Sequence, residues 1–149
     1  MKSKDIIFVV VQFILFGLII FLSGHNIGLP IVVKYIGMVI SILGLLVCII
    51  ALLQLNKNLS PFPTPKENGH LITNGLYSIV RHPIYLGLVL LFVGYSIYFD
   101  DFLRLGFSIL LIILFEYKSS YEESLLIEKF EAYQEYRKGT GKIYPYFRI

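Results

Sequence analysis

The residues best suited to chemistry fall in two short stretches of the C-terminal half. The first is Arg81-His82-Pro83, followed closely by Tyr85 and Gly87. Proline favours the first position of a helix, where its missing N–H costs nothing, and it pushes the preceding residue out of the α region. His82 is therefore expected just outside a helix that starts at Pro83. The free N–H groups of that helix end, beside the Arg81 guanidinium, would seat an anion. The plainer alternative makes Arg81 a topogenic charge at a membrane boundary and Pro83 a helix starter. The second stretch is Glu122-Glu123, with Tyr136 and Arg137 beyond it. Adjacent helical residues point about 100° apart, so one of the two carboxylates can face a ligand while the other supports it. Their plain alternative is a solvated helix face. Glu116, inside an apolar run, is a third carboxylate for which Arg81 would be a natural partner.

Elements to hold these residues follow from the hydropathy of the chain. Over its 149 residues, 56% are hydrophobic and 15% charged, the net charge is +3, and the mean hydropathy is +0.75. So apolar a chain of single-domain length reads as an all-α integral membrane protein. Its basic residues form no stripe of the kind that grips nucleic acid, so no nucleic-acid partner is expected. The single cysteine, Cys48, lies in an apolar run and reads as a core residue, with no disulfide framework and no metal cluster to join. Apolar runs predict spans at about 6–22, 31–55, 83–99 and 102–117. The first covers roughly 25 Å at 1.5 Å per residue and lacks a small-x-small cleavage site, so it reads as a retained span. Gly37, Ser41 and Gly44 give the second span a small-residue face. Lys34 near its start can snorkel to the interface.

A long polar connection, 56–80, carries prolines at positions 61, 63 and 65 and an Asn74-Gly75 turn. Its apolar and aromatic residues predict a packed rather than a disordered loop. Asp100-Asp101 forms the turn between the third and fourth spans. Residues 119–138 then read as a separate amphipathic cytoplasmic helix, with Leu125, Leu126, Phe130 and Tyr133 on one face and Gly139 as its stop. The aromatic tail 143–147 is expected to lie back on the interface. With both termini and the long connection cytoplasmic, all of the thirteen Lys and Arg residues except Lys34 and Arg104 lie inside.

The order of motifs adds a further expectation. Leu71-x-Thr73-x-Gly75-x-Tyr77 precedes Arg81-His82-Pro83-x-Tyr85-x-Gly87. After a helical hairpin come Glu122-Glu123-x-x-Leu126-x-x-x-Phe130, Tyr133-x-x-Tyr136-Arg137 and Ile143-x-Pro145. From Leu71 onward this resembles the superfamily of isoprenylcysteine carboxyl methyltransferases and phospholipid N-methyltransferases, while the first two spans are generic. The resemblance implies one membrane domain over 1–149, with a part over 71–149 that binds S-adenosyl-L-methionine. It implies catalytic roles for Arg81, His82 and Glu123. It also implies a cofactor site made of His82, Pro83, Tyr85, Gly87, Glu122, Glu123, Tyr136 and Arg137, with Gly87 allowing close backbone approach. Lys118-Ser119 stand where the family usually has Arg-Ile. The implied activity is methylation of a lipophilic small molecule or lipidated substrate, with membrane lipids as neighbours.

These residue types suit that cofactor. Carboxylates match its ammonium or ribose diol, and Arg81 with helix-end N–H groups matches its carboxylate. A carboxylate acceptor needs no base, whereas an amine must lose a proton, for which His82 or a carboxylate could serve. An acceptor entering from the bilayer would meet Ile84, Leu88 and the small-residue face of the second span. Two other readings stand beside this one. A reductase resembling the sterol reductases would want more basic residues for a phosphorylated dinucleotide. A non-catalytic four-span scaffold or transporter would have no ordered pocket between the hairpin and the C-terminal helix.

Overall fold

The computed structural model describes residues 3–56 and 60–145, and within them the chain is helical, with isolated bridges and no sheet. Of the residues singled out above, Tyr146 and Phe147 of the aromatic tail lie outside the described residues. Four long helices follow the apolar runs: α1 (Ser3–Phe21), α2 (Ile31–Leu55), α3 (Pro83–Tyr98) and α4 (Phe102–Lys129). A short helix, α5 (Tyr133–Gly139), follows them. By length and composition α1 and α2 can cross a membrane, with mean hydropathies of 2.4 and 3.0. Most of their large side chains stay exposed, as a lipid-facing surface requires.

One boundary departs from expectation. Instead of a span ending near residue 117 and a separate helix over 119–138, α4 runs unbroken for 28 residues, about 42 Å. No helix breaker lies between Tyr117 and Lys129, so the helix propagates from the apolar into the charged segment. It ends at Phe130, whose backbone is extended (φ −121°, ψ 109°). Propensity does not ask for a break there. Tertiary packing does, since Phe130 lines a cavity and Tyr133 is buried to 1% exposure.

The packing is sequential in a way that matters for the site. α2 packs along α3, α3 on α4, and α1 on α4 rather than on its chain neighbour α2. The small-residue face of α2 receives α3. A Cβ on Gly87 would lie 2.7 Å from the Cys48 nitrogen, and one on Gly44 would lie 2.7 Å from the Gly87 carbonyl, so both glycines exist to let the two backbones approach. Ser41 Oγ donates to the Leu91 carbonyl at 3.0 Å across the same seam.

At one end of the bundle the two tight turns are stitched together. Asp101 caps α4 by accepting from the Arg104 N–H and also accepts from the Gly24 N–H at 2.7 Å. Asp100 accepts from the Leu29 N–H at 3.0 Å and pairs with Lys34 at 2.8 Å. The opposite end gathers the long connection, the start of α3, the charged part of α4 and α5. There Gly75, at φ +60°, opens a 3₁₀ turn over Gly75–Ser78 whose Leu76 N–H donates to the Gln54 amide oxygen at 3.0 Å.

Candidate active site

The site forms where the Arg81 segment meets the chain that follows α5. The Arg81 and His82 N–H groups donate to the carbonyls of Gly141 and Lys142 at 2.8 and 3.0 Å, and the Gly141 N–H returns to Ile79 at 3.1 Å. This short parallel pairing fixes the two residues before Pro83, which starts α3 as its first helical residue. Arg81 then acts as a clamp. Its Nε donates to Glu123 at 2.6 Å, and one terminal nitrogen donates to the carbonyls of Arg137 (3.1 Å) and Thr140. The pair is nearly dry, at 7% and 6% side-chain exposure. Burial would raise the Glu123 carboxyl, but the contacts with His82 and Arg81 outweigh it and hold the group down at about 2. Arg137 adds a looser approach to the other Glu123 oxygen at 3.7 Å.

Glu122 points elsewhere, as neighbours on a helix must. It accepts from the Tyr85 hydroxyl at 2.7 Å and lies 3.8 Å from His82 Nδ1. The rings of His82, Tyr85 and Phe115 stack in parallel, with centres 5.2 and 4.6 Å apart, which sets the plane of the imidazole. The Tyr136 hydroxyl donates to the Tyr77 carbonyl at 2.5 Å and joins α5 to the 3₁₀ turn. Burial, with Glu123 adding to it against Arg81, pushes the Tyr136 phenol up to about 12, so it stays a proton donor in ordinary conditions.

These groups wall one side of a cavity of about 440 Å³. Arg81, His82, Tyr85, Glu122, Tyr133 and Tyr136 form its polar wall. Phe13 and Phe16 of α1, Leu52 and Leu55 of α2, and Ile84 and Leu88 of α3 form its apolar wall. The connection closes it with Pro61–Lys66 and Gly69–Ile72, so that loop is packed as expected. Two buried polar atoms here, His82 Nε2 and Tyr133 Oη, have no hydrogen-bond partner among the described residues. His82 Nε2 does lie 3.5 Å from Glu123, without hydrogen-bond geometry.

Of the residues anticipated from the sequence, Arg81, His82, Tyr85, Glu122 and Tyr136 line the cavity, Glu123 and Arg137 lie outside the lining, and three others depart from expectation. Gly87 makes its close approach to α2 rather than to the cavity. Pro83 is buried at the start of α3, outside the lining. Glu116 is exposed and pairs with Lys142 at 2.5 Å, not with Arg81, because it sits on the outer face of α4. Ile84 and Leu88 line the cavity as expected, but the small-residue face of α2 does not, since α3 fills it; Phe13 and Phe16 of α1 and Leu52 and Leu55 of α2 complete the apolar wall instead. Sequence reasoning missed Gln12 and Lys118 as lining residues. Gln12 had a signal, as the lone polar side chain inside the first span.

A profile of the phospholipid methyltransferase family matches residues 32–133. The chain belongs to that family. The match begins within α2, so the family's imprint reaches further upstream than the motifs from Leu71 onward. The protein-S-isoprenylcysteine O-methyltransferase of Schizosaccharomyces pombe (strain 972) is 33% identical over 92 residues, covering 59% of this chain and 39% of that protein. The structure of the eukaryotic intramembrane Ras methyltransferase, isoprenylcysteine carboxyl methyltransferase, shares the fold with a TM-score of 0.71 at 22% identity. It covers 97% of this chain and 53% of that one. The chain thus spans well under two thirds of the length of either relative.

Proposed function

We propose that this chain is an S-adenosylmethionine-dependent membrane methyltransferase that modifies a lipophilic acceptor at the cytosolic face, as a single domain with its cofactor part over 71–149. The observation that carries the reading is the two-sided cavity, polar along Arg81, His82 and Glu122 and apolar along α1 and α2. The cofactor fits the donor set: Glu122 suits an ammonium or ribose diol, and Tyr133 Oη is a buried polar atom without a hydrogen-bond partner among the described residues. When bound, it supplies an electrophilic methyl group on a sulfonium. Arg81 and Glu123 hold the wall rigid, and Arg137, half exposed beside Glu123, would close over the site. The loop prolines and aromatic rings exclude water, so positioning supplies most of the rate. A carboxylate acceptor takes the methyl with no proton to move. An amine must release one, and His82 and Glu122, which both line the cavity, are the candidate bases. The ordered pocket speaks against a scaffold role. Calorimetric titration of the full chain in detergent with S-adenosylmethionine should show one saturable site; no binding by folded protein would overturn the reading.

The same proposal sets α1, α2, α3 and the first part of α4 across the bilayer, with the site end, both termini and the charged end of α4 in the cytoplasm. The charge asymmetry supports this. A Lys66→Cys variant should label from the cytoplasmic side, and labelling only from outside would reverse the orientation.

A further inference from the structure

We propose that Lys118 recognises the acceptor by a negative charge in its head group, which makes it a specificity-determining residue of this site. The inference rests on the methyltransferase reading only for what happens after binding. Lys118 is buried to 1% exposure yet lines the cavity. An ammonium has three N–H donors. Two go to neutral acceptors, Gln12 Oε1 at 2.6 Å and the Pro61 carbonyl at 3.0 Å. The nitrogen lies 5.4 Å from the centre of the Tyr85 ring. No carboxylate among the described residues hydrogen-bonds or ion-pairs with it. Asp5 and Glu122 act on it as charges at longer range, but neither reaches the nitrogen as a hydrogen-bond or ion-pair partner. A cation this dry, whose direct hydrogen-bond partners are all neutral, is costly to keep, and an anion beside it would relieve that cost.

The position decides which anion. Lys118 lies one turn from Glu122 of the polar wall, and its partner Gln12 lies beside Phe13 and one turn from Phe16 of the apolar wall. The ammonium therefore marks the seam between the two walls. An amphiphile with its chain between α1 and α2 would bring its head to that seam. Gln12 and Pro61 each accept from the ammonium, so its rotamer is set before any ligand arrives.

The test uses three probes with one twelve-carbon chain: dodecanoate, dodecyl phosphate and dodecylamine. Binding to the full chain in phosphatidylcholine nanodiscs is measured by thermophoresis at matched membrane mole fraction, without cofactor. Wild type should bind the anions about tenfold or more tighter than the amine. The better-bound anion distinguishes a carboxylate from a phosphate head. Lys118→Met should erase the preference and Lys118→Arg should keep it. If Lys118→Met does not fold, Lys118→Gln retains a donor without the charge and should also erase it. Equal binding of all three probes by wild type would overturn the assignment. So would a preference that survives in an uncharged variant of lowered thermal midpoint, which would leave Lys118 as a tie between α1 and the connection. A charge preference that follows Lys118, in a protein that transfers no methyl group, would instead sink the methyltransferase reading alone.

Discussion

Two adjacent carboxylates, Glu122 and Glu123, have different jobs because a helix turns them apart. Glu123 is sealed against Arg81, whereas Glu122 keeps a face on the cavity. Removing the charge of Glu123 leaves the Arg81 guanidinium buried without its counter-ion, so Glu123→Gln should cost about 3 kcal/mol of stability. Glu122→Gln should leave the thermal midpoint near wild type and weaken S-adenosylmethionine binding by about ten- to a hundredfold. Thermal unfolding and calorimetry on the same two variants check this; equal behaviour would return the pair to a shared, solvated role. The pH dependence follows the same division. With its folded value at about 2 against an ordinary 4.5, the Glu123 carboxylate takes up its proton more readily in the unfolded chain. Its stabilisation is therefore complete above about 4.5 and is lost as pH falls towards about 2. Denaturant unfolding in detergent should show that loss in wild type and a smaller one in Glu123→Gln.

Between elements, the seam of α2 and α3 is the stiffest part of the frame. Gly37, Ser41 and Gly44 meet Gly87, Leu91 and Gly94 with backbone against backbone. Around Gly44 the nearest atoms are all backbone, of Gly87, Leu90 and Leu91, so Gly44→Ala must push the helices apart. A loss of about 1–3 kcal/mol is expected, the usual scale of overpacking. Gly106, on α4, has nothing within 4 Å of an added Cβ, and Gly106→Ala should be neutral or stabilising by up to about 1 kcal/mol through helix propensity alone. Thermal midpoints of the two variants in one detergent decide the matter. Since Gly87 sits one turn from Pro83, a displaced seam would also shift Tyr85 and the ring stack, so Gly44→Ala should lower cofactor affinity from a distance.

On the scale of the whole molecule, the order of packing leaves α1 and α2 to flank an apolar wall rather than to close on one another. An acceptor chain would lie along Phe13, Phe16, Leu52 and Leu55. Each CH₂ buried there is worth about 0.8 kcal/mol, close to fourfold in kcat/KM, until the chain outgrows the space. Acceptors sharing one head group, assayed at matched membrane mole fraction, should follow that rise, while the affinity for the polar cofactor stays constant. Leu52→Trp should shorten the optimal chain. Equal turnover of short and long acceptors would exclude the bilayer route.

Helix positions were readable from composition because an apolar run of membrane length has few other structures open to it. The Arg81-His82-Pro83 boundary was likewise readable, since proline dictates both its own place and that of its predecessor. The motif order picks out several of the polar groups that line the cavity, among them Arg81, His82, Tyr85, Glu122 and Tyr136, but not Gln12. What it could not assign was which partner each group would take. Glu116 meets Lys142 rather than Arg81, Gly87 packs on α2 outside the cavity lining, and α4 continues through residue 118 to end at Phe130. Those outcomes depend on which helix lies beside which, and pairing of α1 with α4 rather than α2 leaves no periodic trace in either sequence. Lys118 shows the difference most plainly. Along the chain it is a lysine at the end of an apolar run, a place where solvation is the ordinary fate. Only the arrival of Gln12 from α1 and Pro61 from the connection turns it into a buried cation on the wall of a cavity.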